Sequence, residues 1–344
     1  MELLQAVAHK GSISAAAREL KLSYRHVWGE LKRWEDVLGH ELIIWEKGQS
    51  AKLTEFGSKL MWAERQTQAR LAPQLEALRA DLERTFAVAF DPDAHVLTLY
   101  ASHDDALPRL REQAASTGLH LDIRFCGSVD AIRALNEARC TLAGFHTQSR
   151  PHDKTHTAKA YRSLLQPGLH KIIGFATRAQ GLITAAGNPM QLQSLRDVAS
   201  TQARFVQRSP GTGTRVLLDD LLAEDQLTVN DLNNWPDEEP SHSALAQAIA
   251  SGRCDVGLGI ESTARARGLG FVPLVQEQFH LVCLKSALDT PATQALRGLL
   301  QTQAWQDTLN TLSGYQAQDS GQVQSLSQQL PWWRFKQAKK SVNT

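Results

Sequence analysis

The chain has 344 residues, 42% of them hydrophobic and 21% charged, enough for two or three domains that each bury a core. Lys and Arg number 37 against 36 Asp and Glu, so the formal net charge of +1 excludes a global field for nucleic acid or membrane, and any basic surface must be local. Cys126, Cys140, Cys254 and Cys283 form no CxxC pair and no short-spaced framework, which predicts reduced thiols packed as small hydrophobes.

The opening "MELLQAVAHKGSISAAAREL" lacks the apolar core and cleavage site of a signal peptide. No run of about 18 apolar residues follows, so the expectation is a cytoplasmic protein without membrane contact.

Residues 1–53 read as short helices followed by a small hairpin, with the grammar of a helix-turn-helix in "GSISAAARELKLSYRHVWGELKRWEDVLG". Ser12 or Ser14 can cap a helix whose Ala15, Ala16 and Leu20 face inward, and the small alanines let a second helix cross closely. Ser23 caps that second helix, on which Val27, Leu31 and Trp34 share a face; Trp28 and Trp34 are expected in the core. Arg18, Lys21, Arg25, Lys32 and Arg33 stand against Glu19 and Glu30, gathering positive charge where a recognition helix would meet phosphates. "LIIWEKGQSAKLTEFG" follows as two strands around a polar turn, a wing with Lys47 and Lys52. Ser23, Tyr24, Arg25, His26, Lys32, Arg33 and Lys47 are the candidate contacts to double-stranded DNA. A bland alternative is a helical hairpin with a solvated basic face.

Residues 54–88 form one long helical pattern, with Phe56, Leu60, Ala63, Thr67, Leu71, Leu75, Leu78 and Leu82 at steps of three or four. Pro73 interrupts it as a kink or a split. The apolar stripe must bury against something. After the turn-rich "AFDPDAH", brief β-prone runs such as "VLTLYAS", "HLDIRFCGS", "KIIGFAT" and "FHLVCLK" alternate with helical stretches over residues 95–322, implying an α/β domain with largely parallel sheets. Residues 323–344 read as a polar, then basic, tail.

"FVQRSPGTGTRVLLDDLL" is the sharpest motif of this second part. A strand runs through a glycine-threonine loop into a helix, which points unpaired amides at whatever sits above the helix start. It is neither a Walker loop, since Thr214-Arg215 follows Gly213 where Lys-Ser/Thr is needed, nor a dinucleotide fingerprint, since no third glycine follows Gly211 and Gly213. No G-x-S-x-G elbow occurs, and His152 and His156 lack a third nearby ligand, so neither a catalytic constellation nor a metal or cofactor site is expected. Small and hydroxyl residues instead follow several strands: Ser102-His103-Asp104, Gly127-Ser128, Gly144-Phe145-His146, Ser209 to Thr214, and Gly257-Leu258-Gly259. In an open α/β sheet such loops converge at the carboxyl ends of the strands. The candidate ligand residues are Ser102, His103, Ser128, Arg208, Ser209, Gly213, Thr214 and Arg215, suited to a small anion. The bland alternative is that Gly211 and Gly213 only permit a turn, with Arg215 in a surface ion pair.

Two resemblances sharpen this. Over residues 1–85, "SISAA", "SYRHVW" and "LTEFG" stand where the winged-helix domain of ModE-type molybdate-responsive regulators has them; LysR-type regulators share the plan, but "SYRHVW" fits ModE better. In those families the helix after the wing pairs two chains, which implies a homo-oligomer, a dimer. Over residues 95–322, "RSPGTGTR" and "GYQAQDSG" resemble a periplasmic-binding-protein-like domain, found fused to helix-turn-helix regulators, and more distantly the molybdate- and tungstate-binding proteins. The resemblance implies two lobes closing on a tetrahedral oxyanion, with Ser102, Ser128, Arg208 and Thr214 as ligand residues. Asp104 and Asp105 depart from the oxyanion binders and would repel an anion unless they face away or pair with an arginine.

The expected protein is an α/β regulator: a winged helix-turn-helix (1–53), a linker and dimerisation helix (54–88), and a two-lobed ligand-sensing domain (95–322). Its expected ligand is molybdate, tungstate or a molybdenum-cofactor-related molecule. The alternatives are a LysR-like regulator of organic-acid metabolism and a non-regulatory molybdenum-cofactor-handling protein.

Overall fold

The computed structural model describes residues 2–44, 50–90, 95–149 and 152–333. They fold as two compact units divided between Ala69 and Arg70.

The first unit holds α1 (Glu2–Lys10), α2 (Ile13–Glu19), α3 (Tyr24–Leu38), a two-stranded wing of β1 (Ile43–Ile44) and β2 (Lys52–Leu53), and the start of α4 (Glu55–Phe90). Ser12 caps α2 by accepting the Ala15 amide at 3.3 Å, and Ser23 caps α3 by accepting the His26 amide at 3.1 Å, each worth about 1 kcal/mol. Leu4, Val7, Ala16, Val27, Leu31 and Leu42 close the core. The wing is fastened to α3 by the buried Glu35, whose carboxylate accepts the amides of Leu42 (2.8 Å) and Ile43 (3.3 Å) and Lys32 Nζ (2.7 Å). Burial opposes ionisation of Glu35, but Lys32 and the two amides outweigh it and hold its pKa below the ordinary value. At Gly57 an added Cβ would stand 2.3 Å from the Leu42 carbonyl oxygen, which is why glycine closes the "LTEFG" element. Trp34 packs half-buried on the core as expected, whereas Trp28 is 43% exposed. Trp28 follows Val27 by about 100° on α3, and that rotation carries it off the inward face.

Pro73 does not split the linker: α4 runs unbroken from Glu55 to Phe90.

The second unit is built on one continuous sheet, ordered β4-β3-β5-β10-β6-β9-β7-β8. Its elements alternate in chain order: β3 (His95–Ala101), α5 (Ala106–Ala115), β4 (Leu119–Phe125), α6 (Ser128–Asn136), β5 (Leu142–Gln148), α7 (His156–Tyr161), β6 (His170–Thr184), α8 (Leu195–Thr201), β7 (Arg204–Arg208), α9 (Gly213–Glu224), β8 (Asn233–Glu239), α10 (His242–Ala250), β9 (Val256–Ile260), α11 (Glu261–Arg265) and β10 (Gly270–Leu284). The last helices α12 (Pro291–Leu300) and α13 (Gln303–Asn310) and strands β11 (Tyr315–Gln316) and β12 (Val323–Ser325), with α14 (Leu326–Gln329), return to the first half.

The sheet is mixed rather than largely parallel. β3 pairs in parallel with β4 and β5, and β7 with β8 and β9, but β6 and β10 are antiparallel to each other and to their neighbours. The short runs "KIIGFAT" and "QGLITAA" are the two ends of β6, a 15-residue strand. With β10 it passes through both lobes, β5 pairing with one end of β10 and β9 with the other end of β6. Lobe I is cored by Leu97, Leu99, Leu121, Ile123, Phe279 and Trp305, and lobe II by Leu182, Phe205, Leu217, Val256 and Leu258. Each buried aliphatic or aromatic side chain of this kind contributes about 1.5–3 kcal/mol.

Residues 323–333 belong to this fold rather than to a polar tail: β12 pairs with β6, and Trp332, 1% exposed, packs on Tyr161. The polar glutamines there hide two apolar anchors, Leu326 and Leu330. The basic residues beyond Trp333 lie outside the described residues.

Candidate ligand cleft and DNA-contacting face

The loops after β3, β4 and β7 face one another between the lobes. Ser102 Oγ lies 3.3 Å from Ser128 Oγ, both buried. Ser128 opens α6, and Gly213 and Thr214 open α9. The α9 N-terminus is shaped by Thr212, whose hydroxyl accepts the Arg215 amide at 3.3 Å. The amides of Gly213 and Thr214 meet no acceptor among the described residues, the ordinary state of first-turn helix donors, which are then open to water or an anion. Arg208, at the end of β7, donates Nε to the Glu239 carbonyl (3.1 Å) and Nη2 to the Pro240 carbonyl (3.0 Å). Its Nη1 is buried with no hydrogen-bond partner among the described residues. Burial, then the charge of Arg178, pulls the Arg208 pKa down to about 9, the mark of a cation short of counter-charge.

The cavity here measures about 220 Å³. Lobe I lines it with Ser102, His103, Phe125 and Cys126, and lobe II with Arg208, Ser209 and Thr212. Its third side is α4, through Arg70, Pro73 and Gln74.

Six of the expected ligand residues therefore gather: Ser102, Ser128, Arg208, Ser209, Gly213 and Thr214 are at or beside the cavity. His103 joins them, its ring on Phe125 with Nε2 3.6 Å from Glu76. Arg215 does not; it lies against Asp219 on α9, Nε to Oδ1 3.6 Å, because one residue past Thr214 the helix has turned about 100°. Two expected loops are strand interior instead: Gly144-Phe145-His146 within β5 and Gly257-Leu258-Gly259 within β9.

Both carboxylates of the first loop have partners within the fold, a cation for Asp104 and hydroxyls for Asp105. Asp104 accepts Arg178 Nη1 and Tyr315 Oη (2.8 Å), and Asp105 accepts Ser262 Oγ (2.6 Å) and Thr263 Oγ1 (2.8 Å) on α11. Arg178 also donates Nε to Glu277 (2.9 Å), and Gln180 joins Glu277 (2.6 Å) to Thr214 Oγ1 (3.2 Å). Burial opposes the Arg178 charge, but Glu277 and Asp104 hold its pKa above the ordinary value. Beneath the α9 start lies His146, fully buried with neither ring nitrogen bonded among the described residues; a Cβ on Gly213 would stand 2.9 Å from its Nδ1. Burial keeps His146 and His242 neutral, their pKa values well below the ordinary one. Sequence reasoning missed Arg178, Gln180, His242 and Glu277, which sit inside apolar-looking strands or at a helix start. The one signal was charge within a strand, Arg178 and Glu277 paired across β6 and β10.

On the first unit, Ser23, Tyr24 (45% exposed), Arg25 and His26 form an exposed start to α3. Lys32 is held by Glu35 and Arg33 by Glu30 (2.5 Å), so two of the expected cations already have partners. Lys47 lies outside the described residues. Among the described residues no group of three side chains could hold a metal ion, and no helix is long and apolar enough to cross a membrane.

The profile of the PBP superfamily domain matches residues 110–301, more than half of the chain. The chain belongs to the PBP superfamily. Ahead of its PBP domain, residues 1–58 match the bacterial regulatory helix-turn-helix proteins of the lysR family. It thus joins a lysR-family helix-turn-helix segment to a PBP domain, the plan that the sequence shares with both LysR-type and ModE-type regulators. The chain is 24% identical over 234 residues to the uncharacterized protein YvgK of Bacillus subtilis (strain 168), covering 68% of this chain and 75% of that one. It is 27% identical over 84 residues to an uncharacterized protein in the ferredoxin 2Fe-2S gene 5' region of Clostridium pasteurianum, covering 24% and 74%. A solved structure similar to this PBP-domain protein is that of a probable transcriptional regulator, PA0477, from Pseudomonas aeruginosa, at 19% identity and TM-score 0.47, covering 87% of this chain and 95% of that one.

Proposed function

We propose that this regulator binds a small oxyanion in the cleft between its lobes and reads an operator with the start of α3, as a homodimer joined through α4. Arg208 carries the reading: it is a buried cation with an unused Nη1, beside helix-start amides that have no acceptor among the described residues. The ligand's oxygens are received by the amides of Gly213 and Thr214, the hydroxyls of Ser102, Ser128 and Thr214, and Arg208. The cavity suits a guest of a few heavy atoms such as molybdate, tungstate or a fragment of the molybdenum cofactor. The lysR-family match favours a second reading, in which the same groups hold the carboxylate of an organic acid. For the ligand to switch DNA binding, it must favour one lobe arrangement over the other.

Calorimetric titration of the purified protein with molybdate, tungstate, sulfate and a set of small carboxylates tests both readings. Binding of the tetrahedral anions, lost in Arg208→Ala, is the expected result. Binding of carboxylates alone ends the molybdate version, and no anion binding at all ends the sensor reading.

A further inference from the structure

Glu239 is fully buried and engages two arginines through different groups. Its carboxylate accepts Arg70 of α4 twice, from Nε at 2.9 Å and Nη2 at 2.8 Å. Its backbone carbonyl accepts Arg208 Nε at 3.1 Å and the Ser209 amide at 3.2 Å. One residue therefore fixes the edge of the ligand cavity and receives the linker helix. Arg70 reaches Asp237 as well (3.3 Å), and Arg253 steadies Asp237 from lobe II at 3.0 Å.

From Arg70 onward, α4 is otherwise tied to lobe I. The Glu76 carbonyl accepts Arg111 Nη1 at 3.2 Å, Glu76 faces His103, Arg84 lies 3.6 Å from Asp122, and Asp81 lies 3.5 Å from Arg124. Among the described residues of this stretch, the hydrogen bonds and ion pairs to lobe II all come from Arg70. A bidentate arginine–carboxylate pair is strong and directional, and here the carboxylate is buried while the Arg70 side chain stays 36% exposed. It stands where the helix crosses from one lobe to the other, and Arg70, Pro73 and Gln74 line the cavity beneath.

We propose that α4 is a working wall of the ligand cavity and that Arg70 latches it to lobe II through Glu239, so that a guest reaches or leaves Arg208 only when the latch opens. This rests on the cleft being the ligand site. The latch also gives occupancy a direct route to the helix that continues into the DNA-binding unit: a guest that draws on Arg208 displaces the peptide of Glu239, whose carboxylate Arg70 grips. Arg70 is here a positioning residue.

Cys126 supplies a probe, because it lines the cavity while the other three cysteines are buried. Its thiol, pushed up to about 11 by burial, reacts slowly enough for access to be measured. The full chain is treated with iodoacetamide, and separately with iodoacetate, and alkylation at Cys126 is followed by peptide mass spectrometry. In Arg70→Ala both rates are expected to rise about tenfold. Unchanged rates in folded Arg70→Ala overturn the latch, as does a fall for iodoacetate alone, which would make Arg70 a mere charge in the wall. Should Arg70→Ala fail to fold, Gln74→Trp decides: Gln74 is exposed, and a bulky ring at the mouth is expected to slow both reagents threefold or more, whereas no slowing refutes the wall. Neither outcome depends on the natural ligand, so failure of every anion to bind the unaltered protein sinks the sensor reading and leaves this result standing.

Discussion

Gly127 of lobe I lies so close to Gly211 of lobe II that a Cβ on Gly127 would stand 2.7 Å from the Gly211 carbonyl oxygen. The Val129 amide donates to that same oxygen at 3.4 Å. Gly127 has φ −63°, ordinary for any residue, so glycine is required by the closeness of the loops and not by the backbone angle.

Gly127→Ala is therefore expected to wedge the lobes apart. Overpacking of this kind costs about 1–3 kcal/mol, and the separation of Ser128 from Thr214 should lower anion affinity tenfold or more. A urea melt and a calorimetric titration check the two effects. Undiminished affinity would mean that these loops do not close together on the ligand.

Arg178 sits between Asp104 and Glu277 with all three side chains about 1% exposed or less. Removing the cation leaves two buried carboxylates facing each other. Arg178→Ala is expected to destabilise the ligand-binding unit by about 3–5 kcal/mol. Asp104→Asn, which keeps an acceptor for the Ala106 amide but turns an amide NH2 toward Arg178 and Tyr315, leaves the Arg178–Glu277 pair in place and should cost distinctly less. Equal melting temperatures for the three proteins would show that the cluster adds nothing.

Acid should unfold this unit through its histidines. Burial depresses the pKa of His280 to about 4 and holds those of His146 and His242 well below the ordinary value. The folded state keeps these rings neutral while the unfolded state protonates them near pH 6.5, so the unfolded chain binds more protons below that pH. Their contribution is complete above pH 6.5 and is lost as pH falls from there toward 4, at up to about 1.4 kcal/mol per histidine per pH unit. Urea midpoints measured between pH 7.5 and 5 check the slope, and His280→Gln, which can still bond Thr147, should flatten it by about one proton.

The parts legible in the sequence were those with a local rule. The caps Ser12 and Ser23, the inward faces of Val27 and Leu31, and the Ser102, Ser128 and 209–214 loops follow from short spacings. What escaped were pairings at long separation. Nothing near Arg178 says that Asp104, 74 residues away, will neutralise it, nor that Glu239, 169 residues from Arg70, will hold the linker helix. The long strand β6 was read as fragments because burial on both faces erases the alternation that marks a strand's length, as it also does in β10 over Phe279–Cys283.

Leu71, Leu75, Leu78, Leu82 and Phe86 remain 44–62% exposed along α4 at steps of four and three. A second copy is the partner that a heptad-like stripe of this length suits. Leu75→Asp with Leu78→Asp is expected to yield monomers by light scattering with each unit still folded, since neither side chain belongs to a core. A dimer that survives the double substitution would place the pairing surface elsewhere.

DNA affinity separates the two kinds of cation on α3. Arg25 is exposed and has no ion pair among the described residues, so Arg25→Ala should weaken operator binding and lower the salt-dependence slope by about one counterion. Lys32 is different, because Glu35 holds its ammonium at 2.7 Å and Glu35 in turn fixes the wing through Leu42 and Ile43. Lys32→Ala is expected to reduce the stability of the first unit and change the slope by less than Arg25→Ala does. Gel shifts from 50 to 200 mM salt on the promoter next to the gene, paired with thermal melts, distinguish the two. A full counterion lost from Lys32→Ala with no loss of stability would show that Lys32 leaves Glu35 to reach a phosphate.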